Sequence, residues 1–532
     1  MSILLTAAQM KAIEDRAMAD GLATGEMLME RAGRGVADAI ETRWGKSEKA
    51  RIVVLAGPGN NGGDGFVVAR HLQARGWQTD LLFLGNATRL PSAARANFDR
   101  WTTDNPVTEL SEAELERFEG PETIFVDALF GTGLSRPLEG RAFDVQRRLA
   151  GLKGAFVRGG LVAVDCPSGL CLDSGRALAR GAGAAGQYVP PADLTVTFQS
   201  LKLGHVLADG PAYCGQLEVV DIGLAEIVDM AAEGRPQGGV DPLAANAFVR
   251  LAGPSNRLSK PSGWHKYNHG HVVVVAGPAG HGGAARLAAR AALRVGAGLV
   301  TVAAPLEAVP EHAARLDAVM VRPVADAGAL EGLVSDKRVS CICIGPALGL
   351  DDRAAALVDV ALRTRKPIVL DADALSLIAR RKSLRALLHG GCVLTPHAGE
   401  FARLWPKLDK AMRAVAKTGP AYSKVDAVRA AAAECGARVL LKGPDTVSAH
   451  PLGGCWVSGA VYEDAAPWLA TAGSGDVLAG FIAGLLARAT ALPDAAAMAA
   501  WLHAACARKF GPGLIAEDLP EQIPEVFREL GV

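Results

Sequence analysis

The chain is poor in aromatic residues, which make up 5% of its 532 positions, and it has no net charge. Each shortage excludes something. Lys and Arg together number 56, as do Asp and Glu. With no summed field to steer nucleic acid or an anionic membrane toward the surface, any phosphate binding must be local. The most apolar helix candidate, Val477 to Ala487, is far shorter than the roughly 20 residues that a membrane span needs. Met1 to Met10 lacks a basic region ahead of its short apolar run and reads poorly as a secretory signal. No nucleic-acid or membrane partner is expected, and a cytoplasmic location is.

Metal and redox motifs are also lacking. The nine cysteines are odd in number and sit mostly in apolar stretches such as Val339 to Ile344. Their spacing, including that of Cys166 and Cys171, fits no zinc or redox signature, so they read as buried thiols. His265, His269, His271 and His281 have no nearby carboxylate or cysteine to complete a recognised ligand set. No Walker motif of the Gly-x-x-x-x-Gly-Lys-Ser/Thr type appears, since Gly45-Lys46-Ser47 has Ile40 where the leading glycine would stand, so the chain is not a P-loop enzyme.

What is abundant is apolar: half of the residues are hydrophobic, and glycines number 61. That suits helices packed closely on parallel sheets, and the length predicts two or three domains. Short β-branched runs alternate with Ala/Arg/Leu-rich helical stretches, the βαβ signature of an α/β fold. Strands are predicted at Arg51 to Ala56, Thr123 to Asp127, Leu161 to Asp165, Leu194 to Phe198 and Leu217 to Asp221. The rhythm breaks from Ala225 to about Val240, a polar Gly/Pro-containing stretch that reads as a linker. It resumes with His271 to Ala276, Leu299 to Ala304, Cys341 to Ile344, Pro367 to Asp371, Cys392 to Thr395 and Arg438 to Lys442. The predicted division is a first domain over 1–228, a linker over 229–240 and a second domain over 241–532.

In parallel sheets, ligands bind beyond the carboxyl ends of the strands, so the turns after these runs carry the chemistry. The first is Gly57-Pro58-Gly59-Asn60-Asn61-Gly62-Gly63-Asp64-Gly65, whose amides suit a pyrophosphate. Read literally, Gly57, Gly59 and Gly62 fit a dinucleotide fingerprint with Asp80 as ribose-binding acid, though a glycine turn that merely lets a helix pack on a strand fits as well. Two further strand ends, Asp127-Ala128-Leu129-Phe130-Gly131-Thr132-Gly133-Leu134 and Asp165-Cys166-Pro167-Ser168-Gly169-Leu170, bring aspartates to the same mouth. Taken singly, either aspartate also suits a helix cap or turn. Together with Asn60 and Asn61 they offer oxygens for a hard cation and one carboxylate for proton transfer.

These three strings, followed by Thr195-Val196-Thr197-Phe198 and Leu201-Lys202, resemble the NAD(P)HX epimerase domain over nearly all of the first half. The resemblance implies a Rossmann-like three-layer fold that binds hydrated NADH and NADPH. It implies substrate contacts from Asn60, Asn61, Gly62, Gly63 and Asp64, and from Gly131, Thr132, Gly133, Leu134, Ser135, Arg136 and Pro137. It also implies a potassium ion held by Asn61, Asp127 and Ser168, with Asp165 as the acid/base residue that assists loss and return of the hydroxyl.

In the second half, Thr471-Ala472-Gly473-Ser474-Gly475-Asp476 runs directly into an apolar helix. Unpaired amides at a helix start make an anion hole, and a carboxylate there suits accepting the proton of an attacking hydroxyl. Asp476 as mere first-turn charge is the plainer alternative. Lys442-Gly443-Pro444-Asp445-Thr446 suits contact with a nucleotide, while Leu394 to Glu400, Val369 to Leu375 and Gly345 to Gly349 supply further strand-end turns.

In this order the motifs resemble the ADP-dependent NAD(P)HX dehydratase of the ribokinase-like superfamily, from about His265 onward. That resemblance implies a second three-layer domain that phosphorylates the hydroxyl of the S hydrate from ADP, after which phosphate leaves. It implies contacts to the hydrate from Gly349, His397 and Asp476, and to the adenine nucleotide from Lys442, Gly443, Pro444, Asp445, Thr446, Gly473, Ser474 and Gly475. Mg2+ is expected with ADP or ATP, and a homo-oligomer is expected. Ala347, Ala472 and Tyr267 stand where this family commonly has glycine. A kinase of small alcohols or of hydroxymethylpyrimidine, carrying a ligand-binding first half, is the alternative, and it accounts for the second half only.

Overall fold

The computed structural model describes residues 3–45, 50–152, 159–178, 188–232, 248–488 and 494–532. The chain divides into two units: Ser2–Val249 joined by Ala414–Ser423, and Arg250–Arg413 joined by Lys424–Val532.

The first unit is built on a sheet whose strands, in chain order, are β1 (Arg51–Ala56), β2 (Gln78–Phe83), β3 (Thr108–Glu109), β4 (Thr123–Ala128), β5 (Gly160–Val164), β6 (Leu194–Phe198) and β7 (Gln216–Val220). In space they run β7-β6-β5-β4-β1-β2-β3, all parallel. Ile52 through Ala56 are fully buried, as strands covered by helices on both faces must be. The order reverses between β1 and β4, where Leu55 lies opposite Asp127 and Ala56 opposite Ala128. This switch point opens a crevice at the carboxyl ends of the two strands. Helix α1 (Asn60–Ala74) starts there without a side-chain cap, so its first amides stay available to an anion. A Cβ on Gly62 would lie 1.9 Å from the Gly57 carbonyl oxygen, so only glycine lets α1 approach β1 this closely.

The second unit carries β8 (His271–Val275), β9 (Leu299–Ala304), β10 (Met320–Pro323), β11 (Val339–Ile344), β12 (Ile368–Leu370), β13 (Cys392–Leu394), β14 (Arg438–Leu441), β15 (Asp445–Ala449) and β16 (Cys455–Gly459). Their spatial order is β16-β15-β14-β13-β12-β11-β8-β9-β10. The β14-β15-β16 pairings are antiparallel and the others parallel. Against this sheet pack α2 (Gly283–Arg294) and α3 (Ser474–Ala487), the latter buried on every face from Val477 to Leu485. Gly480 faces the Ala288 carbonyl oxygen so closely that a Cβ would sit 2.2 Å from it. That contact seats α3 on α2 and fixes where α3 begins.

The predicted strands are present, displaced by a residue or two at their ends. Sequence reading missed β2, β3, β10, β15 and β16. The stretch read as an unstructured linker begins instead with a helix, Ala225–Ala232, whose apolar Ile227 and Val228 pack on the first core. The remainder of that stretch, 233–240, lies outside the described residues. Among the described residues, no helix is long and apolar enough to cross a membrane.

Two candidate active sites

The β5-β6 end of the first sheet carries a buried carboxylate paired with a lysine. Asp165 Oδ1 accepts from Lys202 Nζ at 3.0 Å and from Thr197 Oγ1 at 2.9 Å, while Oδ2 accepts from the Thr132 amide at 3.0 Å. Its backbone takes a φ of +66°, a left-handed conformation that costs a non-glycine residue on the order of 1 kcal/mol. The Asp165 amide donates to Val196 O and its carbonyl meets His205 Nε2 at 3.0 Å, which hold that conformation. Burial alone would raise the Asp165 pKa, but Lys202 and the hydrogen bonds outweigh it and hold the carboxyl below the usual range. His205 is pushed down to about 4 by burial and by Lys202, so its ring is neutral near pH 7. With Nδ1 accepting from the Lys202 amide, Nε2 carries the proton and donates to Asp165 O.

The neighbouring acids are tuned the other way. Burial, reinforced by Asp165 and Glu14, pushes Asp64 well above the ordinary carboxylate range. Glu14 is raised to about 7 by burial, against Lys202. One ionised carboxylate therefore faces two acids that retain protons near neutrality.

Asp127 is buried and bonded by neutral donors: the Leu129 amide at 3.2 Å, Gln146 Nε2 at 2.9 Å, and the Ser168 amide and hydroxyl at 2.9 and 2.7 Å. Burial outweighs these bonds and raises its pKa. Nearby, Asn61 Nδ2 is buried without a partner, and a Cβ on Gly131 would lie 2.8 Å from Asn61 Oδ1. A buried carboxylate without a bonded Lys or Arg, beside hydroxyl and amide oxygens, is a donor set that fits a monovalent cation. Asp80, the ribose acid of a dinucleotide fingerprint, is instead ion-paired 2.6 Å from Arg51 at the opposite end of the sheet. The fingerprint reading fails on that pair.

In the second unit, Asp371 at the end of β12 is buried and accepts from Lys442 Nζ and Thr395 Oγ1, each at 2.8 Å. Lys442 follows β14, and its amide donates to Pro396 O. Asp476 lies in the first turn of α3, behind the left-handed N-cap Gly473. Its pKa is raised to about 6, by burial first and Asp371 second, against Lys442. Gly475 sits where a Cβ would be 3.5 Å from Lys442 Nζ. A lysine, a titrating carboxylate and the open amides of a helix start thus converge.

Other predicted residues have structural partners of their own. Gly349 donates its amide to Asp373 Oδ2 at 2.9 Å. His397 caps the helix Ala398–Leu404, its Nδ1 accepting from the Gly399 amide and its own amide donating to Glu400. Asp445 pairs with Lys424 at 2.6 Å, and Thr446 Oγ1 closes the turn onto Gly443 O at 2.7 Å. Ser474 Oγ donates to Leu469 O. Of the three departures, Ala347 alone takes a positive φ, +50°. Sequence reading missed the roles of Lys202, Thr197, His205 and Asp371. The one available signal was a lysine four residues after a strand that points at the crevice.

Two parallel α/β units, each with a tuned carboxylate beside a lysine at the carboxyl ends of its strands, define a two-site enzyme of the nucleotide-handling α/β class. The YjeF-related N-terminal family model matches residues 25–204, and the NAD(P)H-hydrate dehydratase model matches 272–525. The chain belongs to the family of bifunctional NAD(P)H-hydrate repair enzymes. It is 35% identical to the Moorella thermoacetica enzyme of that name over 99% of this chain and 97% of that one. With the Synechocystis enzyme the identity is 33%, over 94% and 89%. A Bacillus subtilis ADP/ATP-dependent NAD(P)H-hydrate dehydratase co-crystallized with ATP/Mg2+ is 26% identical, covers 51% of this chain and 94% of its own, and superposes with a TM-score of 0.43.

Proposed function

We propose that the first unit interconverts the R and S epimers of hydrated NADH and NADPH, and that the second unit dehydrates the S epimer with ADP or ATP. The observation that carries this reading is the placement of a carboxylate and a lysine at the carboxyl strand ends of each sheet: Asp165 bonded to Lys202 in the first unit, and Asp476 in the first turn of α3, with Lys442 beside Gly475, in the second.

In the first site, the substrate lies along the Asn60–Asp64 turn and the 131–137 loop. We assign Asp165, which Lys202 keeps ionised, to charge stabilisation in place of the acid/base role that the resemblance implies, and the proton to a neighbouring acid, Asp64 or Glu14, which delivers it to the hydroxyl as the carbon–oxygen bond breaks, so that water leaves and the ring becomes a cation. The Asp165 carboxylate, kept ionised by Lys202, offsets that positive charge. Water then adds to either face and returns a proton to the acid's carboxylate, which scrambles the configuration. Asn61, Asp127 and Ser168 would hold a potassium ion, whose charge compensates the buried Asp127 carboxylate.

In the second site, Asp476 accepts the proton of the substrate hydroxyl as its oxygen attacks the terminal phosphorus of ADP, with AMP leaving. The ring then expels phosphate and loses a proton, which restores the reduced nicotinamide. Lys442 and the amides at the start of α3 stabilise the transferring phosphoryl group. When bound with the nucleotide, a magnesium ion supplies further charge neutralisation.

Mixed epimers of hydrated NADH, supplied with ADP or ATP, test the reading through the return of NADH absorbance. Complete recovery requires both activities. Recovery that halts when the S epimer is exhausted removes the epimerase assignment, and no recovery at all removes the repair reading.

A further inference from the structure

The first unit is completed by ten residues from far along the chain. The helix Pro406–Arg413 and the helix Lys424–Cys435 belong to the second unit, while the intervening Ala414–Ser423 belongs to the first. This segment makes specific contacts. Arg176 Nη1 donates to Ala414 O at 2.6 Å, and the Ala421 amide donates to Cys171 Sγ at 3.4 Å. Ala416 and Ala421 bury against Cys171 and Leu178, with Leu134 packed on the same cluster. The Gly419 amide donates to Ser135 O at 2.9 Å. Gly419 lies so close to the 131–137 loop that a Cβ there would meet Leu134 O at 2.7 Å and Ser135 Cα at 3.2 Å.

The loop is therefore anchored at both ends. Near its start, Thr132 donates to the Asp165 carboxylate, and Leu134 closes a turn onto Gly131 O. Three residues after Thr132, Ser135 accepts from Gly419. One end reports to the reacting carboxylate and the other to the returning segment. A loop tied at one end alone keeps conformational freedom that substrate binding must then remove.

We infer that Ala414–Ser423 is a positioning element of the epimerase site, bracing the 131–137 loop in the shape that receives the hydrated dinucleotide. This rests on the proposed epimerase reading of the first unit. The segment donates no group to the reaction; it fixes where the loop's backbone stands when substrate arrives.

The test uses the full chain with Gly419→Ala, which drives a methyl group into the loop backbone. A second variant replaces 415–421 with a Gly/Ser segment of equal length, which removes the packing and keeps the connection. Both are assayed for R-to-S conversion and, separately, for dehydration of pure S epimer. The expected result is a KM for the R epimer raised by about ten- to a hundredfold, with a smaller change in kcat and an unchanged pH profile. Dehydration of the S epimer should keep its wild-type constants, which reports that the chain is folded. Wild-type KM for epimerisation in both variants overturns the inference. If the unaltered protein itself fails to convert R to S, the epimerase reading fails instead.

Discussion

Lys202 Nζ lies 3.0 Å from Asp165 Oδ1, and both side chains are buried. Two charges removed from water at this depth stabilise each other only as a pair, and losing one partner costs about 3–5 kcal/mol. Lys202→Met should therefore destabilise the protein by about that amount in urea denaturation. Because the folded pKa of Asp165 is depressed, the pair's stabilisation is complete above the unfolded carboxylate value near 3.9. It is lost as pH falls through the lower folded value. Without Lys202, burial dominates and the carboxyl protonates at higher pH. The acid limb of the epimerase profile should move toward neutrality, and an unmoved limb would count against Lys202 as the ionising partner.

Asp165→Asn keeps the shape and the Thr132 contact but removes the charge and leaves Lys202 buried without its carboxylate, so it should also lose about 3–5 kcal/mol in urea denaturation. Epimerisation should fall by at least about a hundredfold, a loss typical of removing a group that stabilises transition-state charge. Affinity for the dinucleotide, measured by calorimetry, should change little. Full activity in this variant would sink the assignment.

As the proposed base, Asp476 serves only when ionised, and burial raises its pKa to about 6. Turnover by the dehydratase should rise with pH through that value. Asp371→Asn removes a negative charge and frees Lys442, both of which favour ionised Asp476, so the limb should shift to lower pH. Asp476→Asn should epimerise normally and recover no NADH.

Asn61 Nδ2 has no partner to lose, so Asn61→Ala should leave the melting temperature in sodium buffers nearly unchanged. Potassium should raise the melting temperature of the wild type and fail to do so in the variant. Equal responses in the two proteins would remove Asn61 from the cation site.

Ala347 occupies φ +50° at the end of β11. Strain there costs about 1–2 kcal/mol, and glycine's extra backbone entropy in the unfolded chain returns about 0.5–1 kcal/mol of that. Ala347→Gly should stabilise the protein by up to about 1 kcal/mol, seen as a modest rise in denaturation midpoint. A loss of stability would show that the methyl group packs usefully.

The alternation of β-branched runs and helices made both central sheets readable, because buried parallel strands must be apolar throughout, as Ile52 to Ala56 are. The edges were harder to read. Gln78–Phe83 opens with polar residues, and Asp445–Ala449 belongs to an antiparallel addition whose Asp, Thr and Ser resemble a turn. The aspartates at the strand ends were visible, yet their partners were not. The Leu201-Lys202 string marked the position but not the role of Lys202, which comes from burial against Thr197 and Asp165 that only the closed sheet creates. The segment 414–423 contains Gly and Pro and reads as a loop; its attachment to Ser135 and Cys171 is a tertiary fact with no trace in nearby sequence.

The contrast between Asp165, held ionised, and Asp476, which titrates near 6, bears on flux as well as chemistry. As the surroundings acidify below pH 6, the second carboxylate falls silent first while the first keeps its charge. Damaged cofactor would then go on shuttling between its two epimeric forms without being consumed. Throughput under acid stress is set by the later step, and an S-to-R ratio held at equilibrium while the hydrate pool grows would be its signature.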